Sequence, residues 1–253
     1  MNDSTGPLLP LAHKSAVLTG GSRGIGRAIA LRLAGDGAAV TLSYHRDEAA
    51  AEKVAAEIHA AGGRAAIQRV DLEVLSDVER LFDTAIATFG GVDILVNNAG
   101  TAVTGSIVDM TEAEYDRAMT INAKAPLFAL RQAGLRLRDG GRVVNISSLN
   151  TAVAQPGTAA YTAGKAALEQ FSRIAAQEFA ARHITVNSVS PGPVDTDLLR
   201  TNNPAEALDQ VASATPLGRL GQPGDIADVV AFLAGPDSRW LTGQNLRAAG
   251  GLA

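Results

Sequence analysis

Tyr161 and Lys165 stand four residues apart in "AAYTAGKAAL", residues 159–168. On a helix this spacing puts both on one face, a turn apart. A phenol has a reference pKa of about 10 and is a poor acid at neutral pH. A neighbouring ammonium favours the phenolate and lowers that value. A phenol tuned this way gives a proton to a carbonyl oxygen or takes one from an alcohol. Thirteen residues upstream, Ser148 closes "NISS" at what reads as a strand end. A hydroxyl there can hydrogen-bond a substrate oxygen and stabilise charge developing on it. Asn122, in "TINAKAP", is a weak helix former inside a helical stretch, and it can hold a water that carries protons toward the lysine. Taken singly, each has an ordinary reading as a helix surface, a turn or a polar helix residue.

A second chemical element lies near the N-terminus. "TGGSRGIG" (19–26) separates an apolar run from a helical one. Its glycines, Gly20, Gly24 and Gly26, are spaced G-x3-G-x-G and not G-x-G-x-x-G. The physics is the same: glycine permits the tight turn, and the helix N-terminus offers free N–H groups and a positive dipole end to a phosphate. Ser22, Arg23 and Ile25 complete the turn. An acid ending the next strand would hold the ribose hydroxyls of NAD. Here Tyr44, His45 and Arg46 occupy that place. Arg46 and Arg23, with no acid, favour the 2′-phosphate of NADP. Asp47 and Glu48 just beyond weaken that preference, and NAD(H) stays possible.

Such residues need elements to bring them together. Strands are predicted at 15–19, 38–44, 65–71, 92–100 (with its turn), 141–148, 184–194 and 244–248. Helices are predicted after the glycine turn, over the charged alanine-rich stretch from Asp47, over 76–89, over 111–137, from Tyr161 to about 181, and over 224–234. Ser76/Glu79 and Thr111/Glu114 have capping-box spacing. This alternation indicates βαβ units and a doubly wound, Rossmann-type parallel sheet of about seven strands, an α/β fold with helices on both faces. We expect a short mobile tail over 1–13 and one domain over 14–253. The segment 195–220 reads as an irregular substrate loop. Leu198, Leu199, Val153 and Pro156 give the expected pocket an apolar component.

Bulk composition narrows the classes. The chain of 253 residues is 46% apolar and 19% charged, as a folded soluble protein is. A net charge of −4 argues against a nucleic-acid footprint. With no cysteine there is no disulfide, thiolate ligand or cysteine nucleophile, which suits a cytoplasmic location. The four histidines are scattered and predict no metal site. No apolar run approaches membrane-spanning length.

From about residue 14 onward the chain resembles the short-chain dehydrogenases/reductases, and among them the 3-oxoacyl-[acyl-carrier-protein] reductases. The matching stretches are "TGGSRGIG", "NNAG" (97–100), Asn122, Ser148, "YTAGK", "SPGPVDT" (190–196), "PLGRLGQPGDIADVVAFL" (216–233) and "TGQ" (242–244). The resemblance implies NAD(P)(H) lying across the strand ends, with Tyr161 as acid/base and Ser148 orienting the carbonyl. Lys165 then lowers the tyrosine pKa and holds the nicotinamide ribose, and Asn122 supports the proton relay. Asp71 and Leu72 match an adenine-contacting position. Asn98, Ala99 and Gly100 match the run beside the adenosine ribose. Pro191, Gly192, Val194 and Thr196 match the segment that holds the nicotinamide carboxamide. A homotetramer is also implied (a dimer is possible), and Ala160, Ala167, Phe171 and Ala175 offer a small or apolar face for it, or equally a part of the chain's own core. Two positions depart from the pattern. Gly164 stands where serine is frequent, and "RAAGG" lacks the acid common before the final glycine pair.

The leading expectation is an NADPH-dependent reduction of a ketone or 3-oxoacyl group to a secondary alcohol. The alternative is an alcohol, sugar or steroid dehydrogenase working oxidatively. A non-catalytic cofactor-binding sensor is a third reading, disfavoured by the presence of Tyr161, Lys165 and Ser148.

Overall fold

The computed structural model describes residues 9–253, the side chains of Leu198 and Asn202 excepted. Seven strands form one parallel sheet: β1 (Ser15–Leu18), β2 (Ala39–Tyr44), β3 (Arg64–Arg69), β4 (Val92–Asn97), β5 (Leu137–Ile146), β6 (Thr185–Pro191) and β7 (Asn245–Ala248). Their order is β3-β2-β1-β4-β5-β6-β7. The direction of winding reverses between β1 and β4, so the strand ends there open a crevice. The central strands are continuous apolar runs because helices cover both faces.

Alternate side chains point to opposite faces, and two cores result. On one face Leu18, Leu42, Val96, Val144 and Val189 pack under α1 (Gly24–Gly35), α2 (Glu48–Ala60) and α9 (Pro223–Ala234), through Ile29, Leu33, Ile58 and Val230. On the other, Val17, Leu95, Val143 and Val186 pack under α3 (Leu75–Phe89), α5 (Ala125–Arg136) and α6 (Ala159–Glu178), through Leu81, Phe82, Leu130 and Ala176. Each buried Leu, Ile or Phe contributes roughly 1.5–3 kcal/mol.

Four expectations are corrected. The predicted tail falls partly on residues 1–8, outside the described residues, and residues 9–13 form a turn in which Leu11 is buried and its N–H bonds the Asp36 carbonyl. The box at Ser76/Glu79 does not form, because α3 begins one residue earlier with Val74 as its uncapped N-cap. The predicted helix 111–137 is three pieces: α4 (Glu112–Met119), a π-helical turn (Thr120–Lys124) and α5. Its Thr111/Glu114 capping box is present. Finally, 195–220 is not irregular. It contains α7 (Asp197–Asn202), capped by the Thr196 hydroxyl accepting from Leu199 N, and α8 (Ala205–Ala214).

Candidate active site

The strand ends at the crevice carry the glycine turn. Gly20 (φ 68°) and Gly24 (φ 53°) are left-handed, a region costly for side chains. Gly26 is excluded for another reason, since a Cβ there would sit 1.9 Å from the Gly20 carbonyl oxygen. Ser43, which sequence reasoning missed, holds the turn: its hydroxyl accepts from Gly20 N at 2.9 Å and its carbonyl from Gly21 N at 2.9 Å. Helix α1 starts at this turn with no side-chain cap and no acid in its first turn. Its orphan N–H groups and positive dipole end are left uncancelled, which fits a pyrophosphate. At the end of β2, His45 and Arg46 are exposed, as is Arg23 in the turn. The carboxylates nearby already have partners: Glu48 accepts from the Tyr44 hydroxyl at 2.6 Å, and Asp71 lies 3.6 Å from His45. These residues therefore fit a dinucleotide carrying an extra phosphate.

The β4 end is tied directly to this turn. Asn98 donates its side-chain amide to the Thr19 and Gly20 carbonyls at 3.0 and 2.9 Å. The Thr19 hydroxyl accepts from Asn98 N and Ala99 N, both at 3.0 Å. Both amide protons of Asn98 are thus used in locking two turns together. On the far side, Gly192 N bonds the Ala248 carbonyl at 3.0 Å, and a Cβ on Gly192 would meet Ala249 Cα at 2.9 Å. Thr196 reaches the glycine turn, 3.3 Å from where a Gly24 Cβ would stand.

The other predicted residues converge at the ends of β5 and α6. Ser148, nearly buried, accepts from Asn150 N at 3.2 Å and keeps its own proton to donate. Tyr161 lies on the first turn of α6. Lys165 follows one turn later, buried, its Nζ 5.9 Å from the Tyr161 ring centroid and donating to the Ile146 carbonyl at 2.8 Å. Burial lowers the Lys165 pKa to about 8. Burial also pushes the Tyr161 phenol up, and a hydrogen bond with Ser148 pulls it partly back. The expected lowering of Tyr161 by Lys165 is therefore not the net direction here, because desolvation outweighs the charge one turn away.

Asn122 is fully buried in the π-helical turn. Its Nδ2 donates to the Thr101 and Ala118 carbonyls, both at 2.9 Å, and its Oδ1 accepts from Thr101 N at 3.1 Å. The side chain is used as a clamp on the backbone after β4, and both of its amide protons are taken. Two glycines flank it. A Cβ on Gly100 would lie 2.9 Å from Asn122 Oδ1 and 3.1 Å from Lys165 Nζ, and a Cβ on Gly164 would lie 2.8 Å from Asn122 Cβ. The departure at Gly164 thus has a physical reason: α6 comes too close to the π-helical turn for a side chain.

Beneath the site runs a buried polar ladder that sequence reasoning did not find. Asn97 donates to Asn145, Asn145 to Ser172, and Ser172 meets Ser188, each at 2.8 Å. It links β4, β5, α6 and β6. A depression of about 600 Å³ between Gly140, Arg142, His183, Asp237, Arg239 and Trp240 opens at the opposite ends of the strands and touches none of these residues. Among the described residues there is no group of ligands able to hold a metal, and no helix is long and apolar enough to cross a membrane.

A family model described as enoyl-(acyl carrier protein) reductase matches residues 20–253. The chain belongs to the short-chain dehydrogenase/reductase family. It is an oxidoreductase of that family. An uncharacterized oxidoreductase of Methylorubrum extorquens is 44% identical over 244 residues, covering 96% of this chain and 98% of the relative. A hydroxynaphthalene reductase-like protein of Metarhizium brunneum is 41% identical over 254 residues, covering 95% of each. The crystal structure of an angucycline C-6 ketoreductase with bound NADP superposes with a TM-score of 0.90 at 41% identity, over 96% of each chain. This short-chain dehydrogenase/reductase shares its fold with that ketoreductase.

Proposed function

We propose that the protein reduces a ketone to a secondary alcohol with NADPH, with Tyr161 as proton donor. The observation that carries this is the Ser148–Tyr161–Lys165 arrangement. The Tyr161 phenol, raised by burial, holds its proton at neutral pH, and Ser148 is hydrogen-bonded to it. A protonated phenol is the form a reduction needs. Lys165 is about nine-tenths protonated at pH 7 for a pKa of about 8, and places positive charge beneath the nicotinamide ribose. Asn122 supports the relay by holding the Thr101 backbone, next to Gly100, which lies against Lys165.

The cofactor supplies the hydride. Gly20, Ser22, Gly24, Ile25 and Gly26 would receive its pyrophosphate, and Arg23, His45 and Arg46 the 2′-phosphate. Asp71 and Leu72 would border the adenine, Asn98 to Gly100 the ribose, and Pro191, Gly192, Val194 and Thr196 the carboxamide. NADP bound to the ketoreductase relative supports this preference. That relative and the hydroxynaphthalene reductase-like one also favour a cyclic, largely apolar ketone over a 3-oxoacyl thioester. Val153, Pro156 and Leu199 suit such a substrate. The Leu198 side chain, expected beside them, lies outside the described residues. For the proposed homotetramer, Ala160 and Ala175 are buried within the chain and Phe171 packs on its core, which favours a core role for these three, while Ala167 is half-buried. Exposed Tyr115, Leu127 and Ile174 on α4, α5 and α6 suit a subunit face better. A cytoplasmic setting goes with this reading.

The test is loss of reduced-nicotinamide absorbance with NADPH or NADH against a panel holding a bicyclic aromatic ketone, a 3-oxoacyl thioester and simple ketones. NADPH oxidation faster than NADH with at least one ketone is expected. Equal or faster use of NADH would remove the cofactor assignment.

A further inference from the structure

The geometry points to Glu169 as a positioning residue that ties the substrate-side loop and both strand ends of the crevice to the helix carrying Tyr161 and Lys165. Glu169 lies on α6 one turn beyond Lys165 and two beyond Tyr161. Its Oε1 accepts three hydroxyls from three separate segments. Ser147, beside Ser148 at the end of β5, donates at 2.6 Å. Thr151, in the short turn that opens the 149–157 segment, donates at 2.7 Å. Ser190, beside Pro191 and Gly192 at the end of β6, lies at 3.2 Å.

Each hydroxyl has one proton, so the alternatives decide how strong the ties are. Ser147 has only the Lys165 carbonyl at 3.4 Å as a second acceptor, and its proton goes to Glu169. Thr151 divides its proton with the Ser148 carbonyl at 2.8 Å. Ser190 divides its proton with Asn245 Oδ1 at 2.9 Å. Ser147 and Ser190 are buried. Hydroxyl bonds to a carboxylate in that setting are charge-assisted and stronger than neutral ones. A single carboxylate therefore fixes the distance from α6 to Ser148, to the first turn of the loop over the substrate, and to the segment beside the nicotinamide. Catalysis depends on such distances to within a fraction of an ångström.

This inference rests on the reductase reading above, and its test separates the two. Glu169→Ala and Glu169→Gln are compared with wild type for ketone kcat and KM, for NADPH Kd by fluorescence titration, and for backbone hydrogen exchange of 149–153. Glu169→Ala is expected to lower kcat about tenfold, the kinetic equivalent of one lost charge-assisted bond. It should also raise ketone KM and quicken exchange at 149–153, while NADPH Kd changes less than about twofold. Glu169→Gln keeps an acceptor oxygen at the same reach and is expected to restore most of the loss. If Glu169→Ala does not fold, Thr151→Val removes one tie and is expected to raise ketone KM and loop exchange with NADPH Kd unchanged. Unchanged exchange and KM in the alanine variant (or in Thr151→Val, if that stands in), or a glutamine variant as impaired as alanine, would overturn the assignment. A wild type that reduces no ketone would instead sink the reductase reading, while the exchange comparison would still decide the role of Glu169.

Discussion

Replacing Gly164 with alanine sets two effects of opposite sign against each other. Glycine inside a helix is destabilising by roughly 0.5–1 kcal/mol relative to alanine, so propensity favours the change. Space opposes it. The new Cβ would stand 2.8 Å from Asn122 Cβ, with the Asn122 carbonyl carbon at 3.6 Å and the Ala118 carbonyl oxygen at 3.7 Å. Carbon atoms rest at about 3.5–4.0 Å, so α6 and the π-helical turn must part by about 1 Å. Asn122 is fully buried, its Cβ is fixed by the backbone, and the next two atoms are backbone, so nothing there yields easily. Overpacking of this kind costs about 1–3 kcal/mol. The net is a loss of about 1 kcal/mol, or about 2–4 °C in Tm for a domain of this size. Activity should fall further than stability. A shift of that size breaks the Asn122 clamp on Thr101, whose bonds are 2.9 and 3.1 Å long. Calorimetry and ketone turnover on Gly164→Ala and Gly164→Ser check this, with serine worse than alanine. A rise in Tm with unchanged turnover would show that propensity outweighs the contact and would refute the reasoning.

Lys165→Met should abolish turnover while raising stability by about 1–2 kcal/mol at pH 7, because the gap between 10.5 and about 8 represents about 3 kcal/mol of disfavoured charge, offset by the lost bond to Ile146. The sign follows from a lowered folded pKa: the cost is fully present below pH 8 and disappears as pH rises through 10.5, so the advantage of Met must shrink over that range in denaturation experiments. Removing Arg23 and Arg46 together should reduce the NADPH-over-NADH ratio of kcat/KM at least about tenfold, since each charge-assisted bond to phosphate contributes about 1.5–3 kcal/mol. Asn145→Ala opens the buried ladder at its middle and leaves the Asn97 side-chain amide without its acceptor, while Ser172 keeps the Leu168 carbonyl and Ser188. It should cost about 2–3 kcal/mol in urea denaturation.

The sheet and most of its strands were legible because parallel strands covered on both faces are apolar throughout and alternate with long helical patterns. Ser148, Tyr161, Lys165 and Asn122 were legible as residue types at a spacing. The break in the predicted helix 111–137 had one signal, Pro126, which has no N–H to give a continuing helix and stands in the first turn of α5. The π-helical turn before it had none, since it accompanies a tertiary clamp between Asn122 and Thr101. The helices at 197–202 and 205–214 were hidden by Asn202, Asn203 and Pro204, which punctuate the segment as turn residues while marking only the boundary between two short helices. Glu169 carried no local signal at all, and Gly164 showed only as a glycine inside a helix, without the contact that requires it. Three of the partners of Glu169 lie 18 to 22 residues away in sequence, and Gly164 is explained by a residue 42 positions earlier.

The central claim is that Tyr161 gives the proton, and Tyr161→Phe tests it most directly, since only the hydroxyl is removed and the ring keeps its place above Lys165. Ketone turnover and NADPH Kd should be measured on the same preparation. The account predicts a fall in kcat of about 10²–10⁴, the usual range for a lost general acid, with NADPH Kd nearly unchanged. A phenylalanine variant that keeps full turnover would contradict it.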